Sequence, residues 1–250
     1  MSLLIQKDGH EITTVDEWFQ FSPPKEGKHQ WVDGRSAKEL AKVFLERGFP
    51  AVPPELRALL SSHPDVGPVD LTIAFPEHKI ALDKFPGEPR NADLAAVGDC
   101  GMGKVAVNIE AKADEAFGDT IGDRLASAST MSNVPKRITA LAEALLGHAG
   151  QEIHGLRYQL LHGIAASMIF AREQGASAAI FVALEFHGPS CAKENIERNR
   201  TDFELFVKAL VPRGQALIPG RLSGPFQIPG GDFVPSGLPL YIGKVIRNVS

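Results

Sequence analysis

The sequence predicts an α/β or α+β fold with a mixed β-sheet, and two patterns support this prediction. Segments with the helical period of apolar residues alternate with extended segments, in the order helix, several strands, helices, strand, helix. One run, from Ala178 to Phe186, is apolar throughout, as in a central strand that is buried on both faces. We therefore expect a single domain over residues 1–250, with helices flanking the sheet.

The helices are predicted from capping residues and apolar stripes. Ser36 to Glu39 has the form of a capping box, which opens a helix over 36–47. Thr201 to Glu204 has the same form and opens a helix that continues to Leu210. Other apolar stripes, ended by glycine or opened by proline, predict helices over 54–61, 133–147 and 154–174.

The strands are predicted from short β-type runs between prolines and glycines. Gly98, Gly101 and Gly103 predict a hairpin turn between two of these runs. The stretch from Pro212 to Pro239 is rich in proline and glycine and predicts a loop, after which 240–246 is expected to be an edge strand. The remaining predicted strands cover 69–75, 79–82, 92–97 and 104–111.

The overall composition excludes several classes of protein. The chain has 250 residues, 44% of them hydrophobic, which excludes a disordered chain, a collagen-like fibre and a coiled-coil rod. With 26 Lys and Arg against 30 Asp and Glu, it has no overall basic signature of nucleic-acid binding. Its two cysteines form no CxxC pair and its apolar runs are short, so we expect a cytoplasmic protein without a membrane segment.

A glycine-rich segment resembles a phosphate-binding loop. Gly98 to Lys104 fits the pattern G-x-x-x-x-G-K, which would suit a nucleotide-binding enzyme. Such a loop also needs Ser or Thr next and a following helix, whereas Val105 comes next and β-branched residues continue. We therefore expect a hairpin turn here, and a nucleotide-binding enzyme is the weaker alternative.

Three acidic-x-Lys triplets occur, and their context separates them. Glu26 begins one in a loop rich in proline and glycine, and Glu77 begins another after Pro76 at an expected turn. Glu110 begins the third at the end of an alternating strand, and Asp93 starts the strand before it. A hairpin turning at the glycines would bring Asp93 and Glu110 side by side.

The third triplet carries a recognisable chemistry. Glu110 and Lys112 are two residues apart on a strand, so both project from one face, which Asp93 can reach from the neighbouring strand. Two carboxylates and the carbonyl of Ala111 would form an oxygen site for Mg²⁺, or Mn²⁺, beside which Lys112 would support an attacking water. The alternative is that Glu110 and Lys112 form an exposed polar pair at a strand end.

This arrangement of an Asp, a β-hairpin and Glu-x-Lys at a strand end resembles the PD-(D/E)XK, or restriction-endonuclease-like, nuclease superfamily. Asp93, Glu110 and Lys112 match its motif one for one, although Ala92 rather than proline precedes Asp93. The resemblance covers about residues 36–187 and implies a core of helix, three strands, helix and strand. The C-terminal helix and the Pro/Gly-rich segment over 190–250 would then be an extension.

The resemblance also implies a function and further residues. It implies a metal-dependent nuclease with DNA as the expected substrate. Paired cuts in duplex DNA would suit a homodimer. Gln159 and Glu39 would have auxiliary roles in the site. A nuclease-like binding or regulatory module without catalysis is the alternative. A nuclease also requires basic residues around the acidic site, and the candidates are Lys84, Arg90, Lys136 and Arg157.

Overall fold

The computed structural model describes residues 3–86, 89–189, 191–211 and 217–249. In these ranges the strands form one mixed sheet of eight strands, in the order β2-β1-β3-β4-β5-β6-β8-β7. The predicted mixed sheet with flanking helices is therefore confirmed. The strands are β1 (Leu4–Lys7), β2 (His10–Glu11), β3 (Asp70–Ile80), β4 (Arg90–Cys100), β5 (Gly103–Ala113), β6 (Ala178–His187), β7 (Ser223–Phe226) and β8 (Leu240–Asn248).

Helices cover both faces of this sheet and enclose a hydrophobic core on each. The first three pack on one face, with Trp18, Phe44 and Leu56 in that core, and the others pack on the opposite face. Within the described ranges, no helix is both long and apolar enough to cross a membrane. The helices are α1 (Val15–Phe21), α2 (Ser36–Leu45), α3 (Pro54–Leu60), α4 (Ile121–Ala126), α5 (Val134–Leu146), α6 (Tyr158–Glu173) and α7 (Lys193–Leu210).

The centre of the sheet is the parallel trio of β5, β6 and β8. Strand β6 pairs in parallel with both neighbours, and its residues 178–186 are buried, as its apolar sequence predicted. The prediction that 240–246 is an edge strand is wrong, because β7 pairs with the outer side of β8. Strand β7 also interrupts the predicted loop over 212–239, of which residues 212–216 lie outside the described ranges.

Strands β4 and β5 form the predicted hairpin, turning at Gly101 and Met102. Their ladder closes at the pair Cys100 and Gly103. Gly98 lets β3 approach, because a Cβ there would lie 2.5 Å from the carbonyl oxygen of Asp70. A strand follows Gly103. The segment therefore lacks the helix N-terminus with which a phosphate-binding loop holds its ligand.

Strand β3 is continuous where the sequence predicted two strands and a turn. Pro76 fits within it because β1 pairs with β3 only at Ile73 and Ala74, so this edge needs no ladder N–H at residue 76. Lys7 Nζ covers the edge by donating to the carbonyls of Pro76 and Glu77, at 3.1 and 2.7 Å. Glu77 lies in the strand with φ of 46°, an uncommon value for a residue other than glycine.

Both predicted capping boxes are wrong. Helix α2 begins at Ser36 as predicted, but Ser36 is its first helical residue, and its hydroxyl donates to Glu115. The carboxylate of Glu39 instead accepts from the Gly34 N–H at 2.9 Å. Helix α7 begins at Lys193, so Thr201 lies in its interior, where the backbone amides already have helical partners.

Helix α6 lies across the sheet and is buried almost all round. Residues 163–171 are all buried, which is more than the single apolar face that the sequence predicted. Gly163 permits close packing, because a Cβ there would lie 3.1 Å from a ring carbon of Phe181 and 3.3 Å from Nη2 of Arg90. This helix therefore approaches the charged end of the β4–β5 hairpin.

Candidate functional site: a charged cleft at the open end of the β4–β5 hairpin

The site begins where the β4–β5 ladder ends. The last pair at this end is Leu94 with Ile109, and beyond it the Asp93 carboxylate accepts from the Ala111 N–H at 2.7 Å. A side chain thus replaces the backbone acceptor that the ladder would supply. The N–H and C=O of an extended residue point to the same side, so the Ala111 carbonyl faces the same gap as Asp93.

Glu110 forms the buried centre of the site. Its side chain is 1% exposed, and its two oxygens accept hydrogen bonds from three donors. Oε2 accepts from Arg90, and Oε1 accepts from Lys112 Nζ at 3.0 Å and from the Gln159 amide. Burial alone would raise the pKa of Glu110, but the charges of Lys112 and Arg90 outweigh burial and lower it. Glu110 is therefore an anion held by two cations.

Lys112 stands beside Glu110 as a buried cation. Its side chain is 7% exposed, and its Nζ lies 5.6 Å from the ring centroid of Phe117. Burial favours the neutral amine, but the charges of Glu110 and Asp93 outweigh it, so the pKa of Lys112 is raised. Lys112 is therefore suited to donate hydrogen bonds and to offset negative charge, not to act as a base.

Arg90 is a second buried cation that the packing of α6 holds in position. Besides its bond to Glu110, it contacts His162 Nδ1 through Nη1 at 2.8 Å. Burial and the charge of Arg90 hold the pKa of His162 well below its ordinary value, so the ring is neutral and can accept this bond. Because Gly163 leaves room for the guanidinium, Arg90 is fixed in place against Glu110.

Glu77 is a further acid at the same place. Its flanking residues Pro76 and His78 pair with Leu94 and Ala92, so Glu77 lies opposite Asp93 in the β3–β4 ladder. Its Oε2 accepts from the Asn91 amide at 3.3 Å. Burial is the main reason that the pKa of Glu77 is raised to about 7.

Burial of the site disfavours the ionised form of its carboxylates. The pKa of Asp93 lies well above its ordinary value, first because of burial and then because of the charge of Glu110. Glu77 and Glu110 also raise each other's cost of ionisation, since like charges repel in a poorly solvated site. A cation placed among these groups would therefore be stabilised.

These residues form the floor of an open cleft of about 560 Å³. Asp93, Lys112, Gln159 and Glu77 line it, and Glu110 lies beneath them. One wall is formed by the segment 24–37, which includes the first turn of α2. The remaining lining residues come from the start of β4 and from the chain after β5, namely Pro89, Asn91, Glu115, Ala116 and Gly118.

The structure brings together most of the predicted site residues. Asp93, Glu110, Lys112 and Gln159 are all joined by hydrogen bonds or line the cleft. Glu39 does not line the cleft, because its carboxylate is engaged by the Gly34 N–H and by Lys42.

Of the four basic residues predicted near the site, one is in it. Arg90 binds Glu110 directly. Arg157 instead bonds Asp202 at 2.7 Å, and neither Lys84 nor Lys136 lines the cleft. The cations that do line it, besides Lys112, are Lys25 and Arg35, which no sequence pattern connects with the site.

The donor set has the chemistry of a site for a hard cation. Asp93 and Glu77 line the cleft with carboxylates, and the extended backbone directs the Ala111 carbonyl to the side of Asp93. Oxygen atoms are the ligands that Mg²⁺ or Mn²⁺ takes. Within the described ranges, no group of three His, Cys, Asp or Glu side chains is arranged to hold a metal ion. One reason is that Arg90, Lys112 and Gln159 engage both oxygens of Glu110.

Comparison with known proteins identifies the family of this chain. Residues 11–249 match the model of a domain of unknown function, DUF6946, and the chain belongs to that family. No curated protein and no solved structure matches the chain.

Proposed function

We propose that this member of the DUF6946 family is a metal-dependent nuclease that hydrolyses phosphodiester bonds, with DNA as the expected substrate. The observation that carries the proposal is that Asp93 and Lys112 meet at the floor of a cleft, with Glu110 buried beneath them. Three residues chosen from sequence as one motif are thus neighbours in space, and two of them are buried charges. Buried charged clusters in clefts are typical of functional sites.

The arrangement of elements around the site also supports the proposal. Helix α2, strands β3, β4 and β5, helix α6 and strand β6 follow in the order of the PD-(D/E)XK core, with α3 inserted before β3 and with α4 and α5 inserted before α6. The three strands are antiparallel and β6 is parallel to β5. The motif residues lie on the second and third of these strands, where the superfamily resemblance requires them.

Each residue has a role that its surroundings support. Asp93 and the Ala111 carbonyl, with Glu110, would hold Mg²⁺ or Mn²⁺, which supplies Lewis acidity towards the phosphodiester when bound. Lys112, a cation at the cleft surface, would orient the attacking water and offset charge that develops on the phosphate. Gln159 and Arg90 would position Glu110 through their hydrogen bonds.

A second candidate function is binding of nucleic acid without catalysis. The contact between Arg90 and Glu110 favours it, because a buried guanidinium already neutralises the acid that would help to hold a metal. In this case Arg90 and Lys112 together would serve as permanent counter-ions of Glu110. A metal titration separates the two candidates, since only the nuclease gains stability from Mg²⁺ or Mn²⁺.

The decisive experiment compares Lys112→Met with Lys104→Met. Both lysines lie on β5, and both substitutions remove one positive charge. Lys104, however, is exposed and donates to the Gln174 carbonyl at 3.3 Å, outside the cleft. With labelled DNA and Mg²⁺ or Mn²⁺, we expect Lys112→Met to lower the cleavage rate about 100-fold. Lys104→Met should cleave as the wild type does.

Folding and contamination are controlled in the same experiment. Thermal melts followed by circular dichroism show whether Lys112→Met is folded, and EDTA should abolish cleavage by the wild type. Equal cleavage by wild type and Lys112→Met would refute the assignment. Failure of the wild type to cut any DNA or RNA with either metal would instead favour the binding module.

The cellular setting and the assembly are part of the proposal. Cys100 and Cys191 are free thiols, which suits a reducing compartment and supports the cytoplasm as the place of action. A homodimer would allow paired cuts in duplex DNA. Light scattering after size-exclusion chromatography measures this directly, and a monomeric mass would remove paired cutting from the proposal.

A further inference from the structure

The cleft wall formed by residues 24–37 has no role in the chemistry described so far, although it faces the acidic floor. The charged side chains that it adds to the cleft lining are Lys25, Arg35 and Glu26, and His29 lines the cleft as well. The opposite side holds the carboxylates of Asp93 and Glu77. The cleft therefore has a wall with two cations and one anion, which faces an acidic floor.

The two sides of the cleft are joined near its end. The Ser36 hydroxyl, at the start of α2, donates to the carboxylate of Glu115, which follows β5. Asn199 of α7 donates to the backbone carbonyl of Glu115 at 2.8 Å and so fixes the backbone of Glu115 at this contact. Because the walls touch, a ligand enters a bounded cleft here and does not lie across an open face.

The size and lining of the cleft suit one polynucleotide strand. A volume of about 560 Å³ is within the range of sites for small organic ligands, which corresponds to a few linked groups and not to a double helix. The amides of Gln30 and Asn91 line opposite sides and can bond base edges. If the reacting phosphate lies beside Lys112, then Lys25 and Arg35 can neutralise the phosphates that precede and follow it along the strand.

We propose that the cleft binds single-stranded DNA, with Lys25 and Arg35 contacting the phosphates that flank the reacting one. This inference rests on the proposed function for the position of the reacting phosphate. It specifies the substrate as an unpaired strand or strand end. The wall 24–37 is then a substrate-binding element that selects against duplex DNA by its contact with the opposite wall.

Binding is measured without cleavage by fluorescence anisotropy in EDTA. The probes are a labelled single strand of about 12 nucleotides, a length that single-strand sites cover, and the same strand in a duplex. We expect the wild type to bind the single strand at least about tenfold more tightly than the duplex. The double variant Lys25→Ala/Arg35→Ala should bind the single strand more weakly, and its log–log salt dependence should be shallower by about 1.4.

A matched control removes the same charge elsewhere. Lys193→Ala/Arg198→Ala takes two exposed cations from α7, outside the cleft lining, and should bind as the wild type does. Equal or tighter binding of duplex DNA would overturn the inference, and so would an unchanged salt dependence of Lys25→Ala/Arg35→Ala.

Cleavage of the same two probes with Mg²⁺ or Mn²⁺ separates this inference from the proposed function. Cutting of the duplex in preference to the single strand overturns the inference and leaves the nuclease. Tight binding of the single strand without any cutting overturns the nuclease and supports the strand-binding cleft. Absence of both binding and cutting overturns both.

Discussion

The two ends of the β4–β5 hairpin carry similar residues in different surroundings. At the turn, Asp99 pairs with Lys104, and both are exposed beside a regular ladder. At the other end the ladder stops, and Asp93 and Lys112 gather around the buried Glu110. Both ends contain residues that match a known motif, but only the second end places charged groups in a cleft.

The difference shows what converts a sequence motif into a site. At the turn, water solvates the exposed side chains of Asp99 and Lys104, where even a direct ion pair would contribute little free energy. At the open end, the same residue types are desolvated. Burial raises the pKa of Asp93, and the charges of Glu110 and Asp93 raise the pKa of Lys112 against the effect of burial. Variants that compare the two ends therefore test whether burial is the property that matters.

The largest expected effect is on stability at Glu110. The variant Glu110→Gln leaves Arg90 and Lys112 buried without their counter-ion, which should lower the free energy of unfolding by about 3–5 kcal/mol. Asp99→Asn, at the turn, should change it by less than about 0.5 kcal/mol. Urea unfolding measures both. A loss below about 1 kcal/mol in Glu110→Gln would mean that the two cations do not depend on Glu110.

The next effect is on catalysis at Asp93. Asp93→Asn keeps an oxygen that can accept from the Ala111 N–H but removes the charge, so we expect about 100-fold slower cleavage, near 2.7 kcal/mol in the barrier. Its melting temperature should not fall, because burial and Glu110 already disfavour the ionised form. Asp99→Asn is the control on the same strand. If Asp93→Asn and Asp99→Asn slow cleavage equally, then Asp93 has no catalytic role that distinguishes the open end of the hairpin from its turn.

The smallest effect is a pH-dependent gain of stability at Glu77. Its folded-state pKa of about 7 exceeds the ordinary 4.5, so the folded protein holds a proton that the unfolded chain releases. Its contribution to stability is present below pH 4.5 and is lost as the pH rises through 7. Glu77→Gln should therefore melt above the wild type near pH 8, by about 2–4 °C for each kcal/mol that the buried charge costs the wild type.

The matching measurement at low pH tests the cause. Near pH 3.5, roughly one unit below the ordinary pKa of 4.5, Glu77 is largely protonated in both the folded and the unfolded chain, so the melting temperatures of Glu77→Gln and wild type should nearly coincide. The same gain at both pH values would show that packing, and not charge, is responsible.

The sequence sufficed for those parts of the site that depend on local pattern. Alternation placed Glu110 and Lys112 on one face of β5, and the glycines around Gly101 predicted the turn that brings Asp93 alongside. The continuous apolar run predicted β6 because a strand buried on both faces needs no polar residue. These features follow from period and turn chemistry, which a single sequence contains.

The missed features depend on neighbours that are distant in the sequence. Pro76 suggested a turn, and only the short pairing of β1 explains why β3 continues through it to Glu77. Arg90 was predicted near the site, but its contact with Glu110 was not, because that contact depends on the space that Gly163 of a remote helix leaves for the guanidinium. The cleft wall is formed by residues 24–37, whose position against the cleft is set by tertiary packing.

The central strand β6 has a consequence for the order of events during synthesis. Its two parallel partners, β5 and β8, are separated by more than 120 residues, and β8 reaches only to Asn248. Until residues 240–248 leave the ribosome, one edge of an apolar strand is without its partner. The sheet therefore closes after translation of β8, and a chaperone that shields this edge in the meantime would protect the nascent chain from aggregation.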